Sequence, residues 1–134
     1  MAENGIHMGS LRSSQATVVH TSPEHHYPLG TVMSARRRQE LLKWLEESEE
    51  HYIIEDDYDC EFRYNGHSIP ALFGLDTSGR VIYMNTFSKT LSPGIRISYM
   101  VLPPKLLERY VNSANFFFEY FVESGTAYTG KIFA

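Results

Sequence analysis

Thr86-Phe87-Ser88-Lys89-Thr90-Leu91-Ser92-Pro93-Gly94-Ile95-Arg96 decides how the chain is read. It lies between two apolar runs, residues 81–85 and 97–102. Their β-branched and aromatic residues suit a pleated, half-buried surface. Pro93 and Gly94 require a turn between the runs. So short a connection predicts antiparallel neighbours, because parallel strands need a longer crossover. The turn gathers one amine, Lys89, the hydroxyls of Thr86, Ser88, Thr90 and Ser92, and the guanidinium of Arg96. A lysine amine can condense with an aldehyde, and hydroxyls with an arginine can hold a phosphate dianion. On residue types alone, however, a lysine in a hydroxyl-rich loop is usually a solvated surface group.

A second stretch supports the chemistry. Tyr52-Ile53-Ile54-Glu55 reads as a short strand, with Asp56-Asp57-Tyr58-Asp59 at its carboxyl end. Ligands of open α/β sheets sit beyond the carboxyl ends of the strands. An acid there can pair with a protonated pyridine nitrogen and keep such a cofactor an electron sink. Tyr58 can hydrogen-bond the phenolic oxygen of the same ring.

The preceding segment supplies the unit a parallel sheet needs. Residues 17–19 read as a short strand, and residues 20–30 as a loop broken by Pro23, Pro28 and Gly30. Ser34 is an N-cap for a helix running to about residue 48. Ala35, Arg38, Leu41, Leu42 and Leu45 share one face, flanked by Trp44. The triplet Arg36-Arg37-Arg38 reads as a solvated face, offset by Glu46, Glu47, Glu49 and Glu50. The helix returns the chain to the strand at 52–55, giving an αβ unit. His25 and His26 read as loop histidines rather than metal ligands, since adjacent side chains diverge. Further on, Asp76-Thr77-Ser78-Gly79 is a turn, and residues 105–112 form a short helix opened by Pro104.

Three blocks in this order resemble the fold-type I pyridoxal-phosphate proteins. They are His25-His26-Tyr27-Pro28-Leu29-Gly30, the run from Ile53 through Glu55-Asp56-Asp57-Tyr58-Asp59 to Tyr64, and Thr86-Phe87-Ser88-Lys89 to Arg96. Within that superfamily they look most like the aminotransferase-like domain of MocR-type regulators, a branch of the GntR transcription factors. The resemblance spans residues 17–110. It implies an α/β fold: a fragment of the fold-type I large domain, with a mostly parallel sheet flanked by helices and one antiparallel strand after the lysine loop. It implies that Lys89 is the catalytic Schiff-base lysine. Asp56 would face the pyridinium nitrogen and Tyr58 the ring hydroxyl, with Thr86, Ser88 and Arg96 on the phosphate. Tyr27 stands where many superfamily members have an asparagine, so that contact does not carry over.

Composition bounds the rest. At 134 residues the chain suffices for one small domain with a core. A formal net charge of −4 gives no electrostatic case for nucleic-acid or membrane binding. Cys60 is the single cysteine, which excludes an intrachain disulfide and fits a reducing cytoplasm. Residues 1–15, polar and without period, read as a vector-derived or disordered leader. Residues 16–110 read as part of the pyridoxal-phosphate domain, and 111–134 as a C-terminal segment without a match.

The resemblance also implies parts that the sequence does not contain: a Gly-rich phosphate cup, a ring stacking on the cofactor, a carboxylate-binding arginine and an N-terminal winged helix. The expectation is therefore a partial cofactor-binding, effector-sensing domain of a transcription regulator, its parent responding to an amino-acid or vitamin effector and reaching DNA through another domain. The alternative is a piece of a free-standing aminotransferase. The Glu-Asp-Asp-Tyr-Asp block favours the regulator. The isolated chain is expected to be inactive, not to retain pyridoxal phosphate, and to self-associate through an exposed edge at the strand 52–55.

Overall fold

The computed structural model describes residues 5–26, 28–58, 69–88 and 97–122, the side chains of residues 114–122 excepted. Strands β1 (Val18–Thr21), β2 (Tyr52–Asp56), β3 (Val81–Thr86) and β4 (Ser98–Val101) form one sheet in the order β1-β2-β3-β4. β1 and β2 are parallel, as are β2 and β3, and β4 runs antiparallel to β3. The short link between β3 and β4 carries the antiparallel pairing expected of it.

Helix α2 (Ala35–Glu46) is the crossover between β1 and β2. Ser34 caps it, its side chain accepting from the Arg37 N–H. One stripe of the helix, Leu41, Trp44 and Leu45, is buried with Val19, Ile53 and Val81 of the sheet. Burying side chains of this size stabilises by about 1.5–3 kcal/mol each. His51 stacks on Trp44 at 4.0 Å between ring centres. Its Nδ1 lies 2.7 Å from the Trp44 carbonyl, which fixes the turn into β2.

Three expectations are corrected. Residues 8–13 form a helix, α1 (Met8–Ser13), whose Met8 and Leu11 are part of the core. Arg12 closes this helix on α2 through Glu47, 2.8 Å from Nη2 to Oε1. Polarity and a missing period hid the helix because only two of its six residues face inward. Arg38 does not belong to a solvated face: it is fully buried. Its guanidinium donates to Glu24 Oε1 (2.9 Å), the Pro70 carbonyl (2.9 Å) and the Met33 carbonyl (3.3 Å). A buried cation is tolerable because its donors are met. Lastly, β2 is not an edge, being flanked by β1 and β3; among the described residues the outer edge on that side belongs to β1.

Asp76 organises the entry to β3. Its carboxylate accepts from the N–H groups of Ser78, Arg80 and Val81 and from the Ser78 hydroxyl. Arg80, mostly buried, reaches the Ser48 carbonyl and so ties this turn to the end of α2. The unit beginning at Pro104 is a separate compact body. Its helix α4 (Pro104–Val122) is 19 residues long and runs past the expected stop at 112. Among the described residues no helix is long and apolar enough to cross a membrane.

Candidate cofactor site at the carboxyl end of the sheet

Strand alternation sorts the three consecutive acids Glu55, Asp56 and Asp57. Side chains of β2 point alternately to opposite faces, and its odd positions, Ile53 and Glu55, are buried. Glu55 is consumed by structure. Its two oxygens accept from the Leu72 and Phe73 N–H groups, both at 2.8 Å, and so hold the start of the short helix α3 (Leu72–Leu75). Burial pushes its pKa up. The two N–H groups oppose that rise, the nearby Asp57 adds to it, and Arg38 offsets it in part.

Asp57 is buried as well. Its Oδ2 accepts from the Tyr83 hydroxyl at 2.8 Å, and that hydroxyl accepts from Asn85 Nδ2 at 3.2 Å. The Asp57 N–H donates to the Met84 carbonyl, continuing the pairing of β2 with β3. Its Oδ1 has no hydrogen-bond partner among the described residues.

Asp56 differs from both neighbours. It points to the sheet face that α2 does not cover, with its side chain 30% exposed, and His20 Nε2 of β1 lies 3.3 Å from its Oδ2. Thr86, at the end of β3, lies on the same face by register: Asp56 pairs with Met84, two residues earlier. The sheet therefore presents one open carboxylate at its carboxyl edge, beside a hydroxyl.

Tyr58 leaves β2 toward the loop between β1 and α2. Its hydroxyl donates to the His25 carbonyl at 3.0 Å, and its ring meets the His25 ring edge-on, with centres 6.2 Å apart. That loop is closed by the His26–Thr31 bridge and by the Gly30 N–H on the His26 carbonyl. Gly30 has φ +65, a left-handed turn position that suits glycine. His26 is buried, which pulls its pKa down and favours the neutral ring.

The entry to the lysine turn is fixed by Thr86. Its hydroxyl donates to the Ile97 carbonyl (3.2 Å) and accepts from the Ser88 N–H (3.2 Å), while the Phe87 N–H donates to the same Ile97 carbonyl (3.0 Å). Phe87 packs on Tyr99 of β4, ring centres 5.2 Å apart. Lys89 and Arg96 lie outside the described residues, as does Tyr27. Asp56, Tyr58, Thr86 and Ser88 are all described and all gather at the carboxyl end of β2 and β3. A pyridine ring needs an acid it can reach, and of the three acids Asp56 alone is not buried. Asp56 thus fits the ring nitrogen of pyridoxal phosphate, while the hydroxyls of Tyr58 and Thr86 donate to the His25 and Ile97 carbonyls.

His20, beside Asp56, and Tyr83 and Asn85, linked to Asp57, were not singled out from the sequence. Reading β1 as ending at residue 19 put His20 in the loop. In the structure Val18, Val19, His20 and Thr21 alternate exposed, buried, exposed, buried, a pattern that their residue types do not show.

A mostly parallel sheet, a helical crossover, an acid at the carboxyl end of one strand and a lysine in the sequence just after its neighbour define a fold-type I aminotransferase domain. The family model described as aminotransferase class I and II matches residues 7–131. The chain belongs to this family, and the match extends through residues that the resemblance had left out at both ends. Among curated relatives, the uncharacterized HTH-type transcriptional regulator YhdI of Bacillus subtilis is 50% identical over 109 residues, 81% of this chain and 23% of that protein. The probable rhizopine catabolism regulatory protein MocR of Rhizobium meliloti is 45% identical over 93 residues, 69% of this chain and 19% of that protein. The chain thus spans about a fifth of these relatives' length. Among solved structures, kynurenine aminotransferase of Pyrococcus horikoshii, in complex with PMP, superposes with a TM-score of 0.75 at 32% identity. That superposition covers 87% of this chain and 31% of the enzyme.

Proposed function

We propose that this chain contributes the ring-nitrogen acid and the lysine turn of a pyridoxal-phosphate-binding, effector-sensing domain in a MocR-type transcription regulator. Asp56 holds the ring nitrogen, Tyr58 the ring hydroxyl, Lys89 the aldehyde carbon, and Thr86, Ser88 and Arg96 the phosphate. The observation that carries this reading is the division of labour among the acids. Glu55 and Asp57 are committed to protein donors, and Asp56 faces the open side of the sheet. When bound, the cofactor supplies electron withdrawal toward its ring nitrogen. The chain's part is to keep that nitrogen charged, orient the ring and present an amine. In this reading the effector is an amino acid or a vitamin, DNA is reached through a separate domain, and the protein works in the cytoplasm. The HTH-type relative YhdI and the probable regulatory protein MocR support the regulator.

A free-standing aminotransferase is the second reading, supported by the 32% identity with kynurenine aminotransferase. Borohydride reduction of the full-length protein with pyridoxal phosphate, followed by peptide mapping, tests the site. The label is expected on Lys89, and a label on Lys43, Lys105 or Lys131 overturns it. Operator binding that responds to an amino acid, without turnover of it, supports the regulator. Steady amino-group transfer supports the enzyme.

A further inference from the structure

We propose that His20 is a positioning residue for Asp56, turning its carboxylate so that Oδ1 is presented to the ring nitrogen. The inference rests on the reading of Asp56 as the ring-nitrogen acid. The parallel register pairs His20 with Ile54, so His20 sits diagonally from Asp56 on the same open face. Its Nε2 lies 3.3 Å from Oδ2. Among the described residues His20 is the one side chain in polar contact with that carboxylate, and Oδ1 is left for a ligand. Stability does not account for the pair. The two side chains are 60% and 30% exposed, and ion pairs in such surroundings add little to folding. A contact that is weak for folding still matters to a ligand, because it removes the rotation of the acid before the ligand arrives.

The test is a titration of the full-length protein with pyridoxal phosphate at neutral pH, followed by visible absorbance. The proteins compared are the unmodified one, His20→Leu, His20→Gln and Asp56→Asn. His20→Leu is expected to bind roughly tenfold more weakly, the worth of one polar contact to a charged group. His20→Gln, whose amide reaches the Nε2 position, should recover most of the affinity. Two results overturn the proposal: unchanged binding by His20→Leu, or His20→Gln no better than His20→Leu. Should Asp56→Asn bind as the unmodified protein does, the reading of the acid fails. If Asp56→Asn weakens binding and His20→Leu does not, only the role of His20 fails.

Discussion

Replacing Arg38 with methionine should cost the fold about 3 kcal/mol. Methionine keeps most of the apolar stem, so the change removes polar contacts more than packing. Three are lost: the charge-assisted bond to Glu24 Oε1 and the bonds to the Met33 and Pro70 carbonyls. Breaking a buried pair from one side costs about 3–5 kcal/mol. The low end applies because the Glu24 side chain is 24% exposed and can regain water. At a urea slope of about 2 kcal/mol/M, the unfolding midpoint should fall by about 1.5 M. Adding Glu24→Gln gives a double-mutant cycle, with an expected coupling of about 1 kcal/mol or more. Amide exchange should also quicken across residues 22–31, since Glu24 anchors the loop whose His25 carbonyl receives Tyr58. A midpoint drop worth under about 1 kcal/mol, or strict additivity with Glu24→Gln, would refute the argument that this guanidinium locks the loop.

Asp57→Asn should cost stability rather than cofactor selectivity, since its partner is Tyr83. Comparing its cofactor affinity with that of Asp56→Asn separates the two acids, and equal losses would sink the distinction. Asp76 carries a pH dependence. Burial alone would raise its pKa, but its hydrogen bonds from Ser78, Arg80 and Val81 outweigh that and leave it lowered. A depressed folded-state pKa contributes stability that is present above the ordinary aspartate range and is lost as the pH falls through the folded value. Asp76→Asn should therefore flatten the acid side of the stability profile, and an unchanged profile would show that the turn is held otherwise. The isolated 134-residue chain is expected to associate through the outer edge of β1 and to bind pyridoxal phosphate poorly. Sedimentation with a cofactor titration checks both, and a monomer with micromolar affinity contradicts both.

The residue pattern was enough for the presence of the four strands, the crossover helix and the antiparallel pairing of the last two, but not for the interior place of β2. Those features follow from local chemistry: β-branched runs, a serine N-cap and a short link between strands act within a few residues. Asp56, Tyr58, Thr86 and Ser88 sit at or just past strand ends that the sequence itself marks. What tertiary structure decided was the fate of the charged groups. Nothing in Arg36-Arg37-Arg38 tells which arginine is buried. That depends on Glu24, Met33 and Pro70 arriving from elsewhere in the chain. Likewise Glu55, Asp56 and Asp57 are three similar acids in a row. Only the opposite faces of the strand, with α3 and Tyr83 on one side and His20 on the other, leave one of them open. Residues 8–13 joined the core for the same reason, since two apolar side chains form no readable period until a second helix offers them a surface. Charge and burial are settled by partners distant in sequence, and those partners meet only in the folded chain.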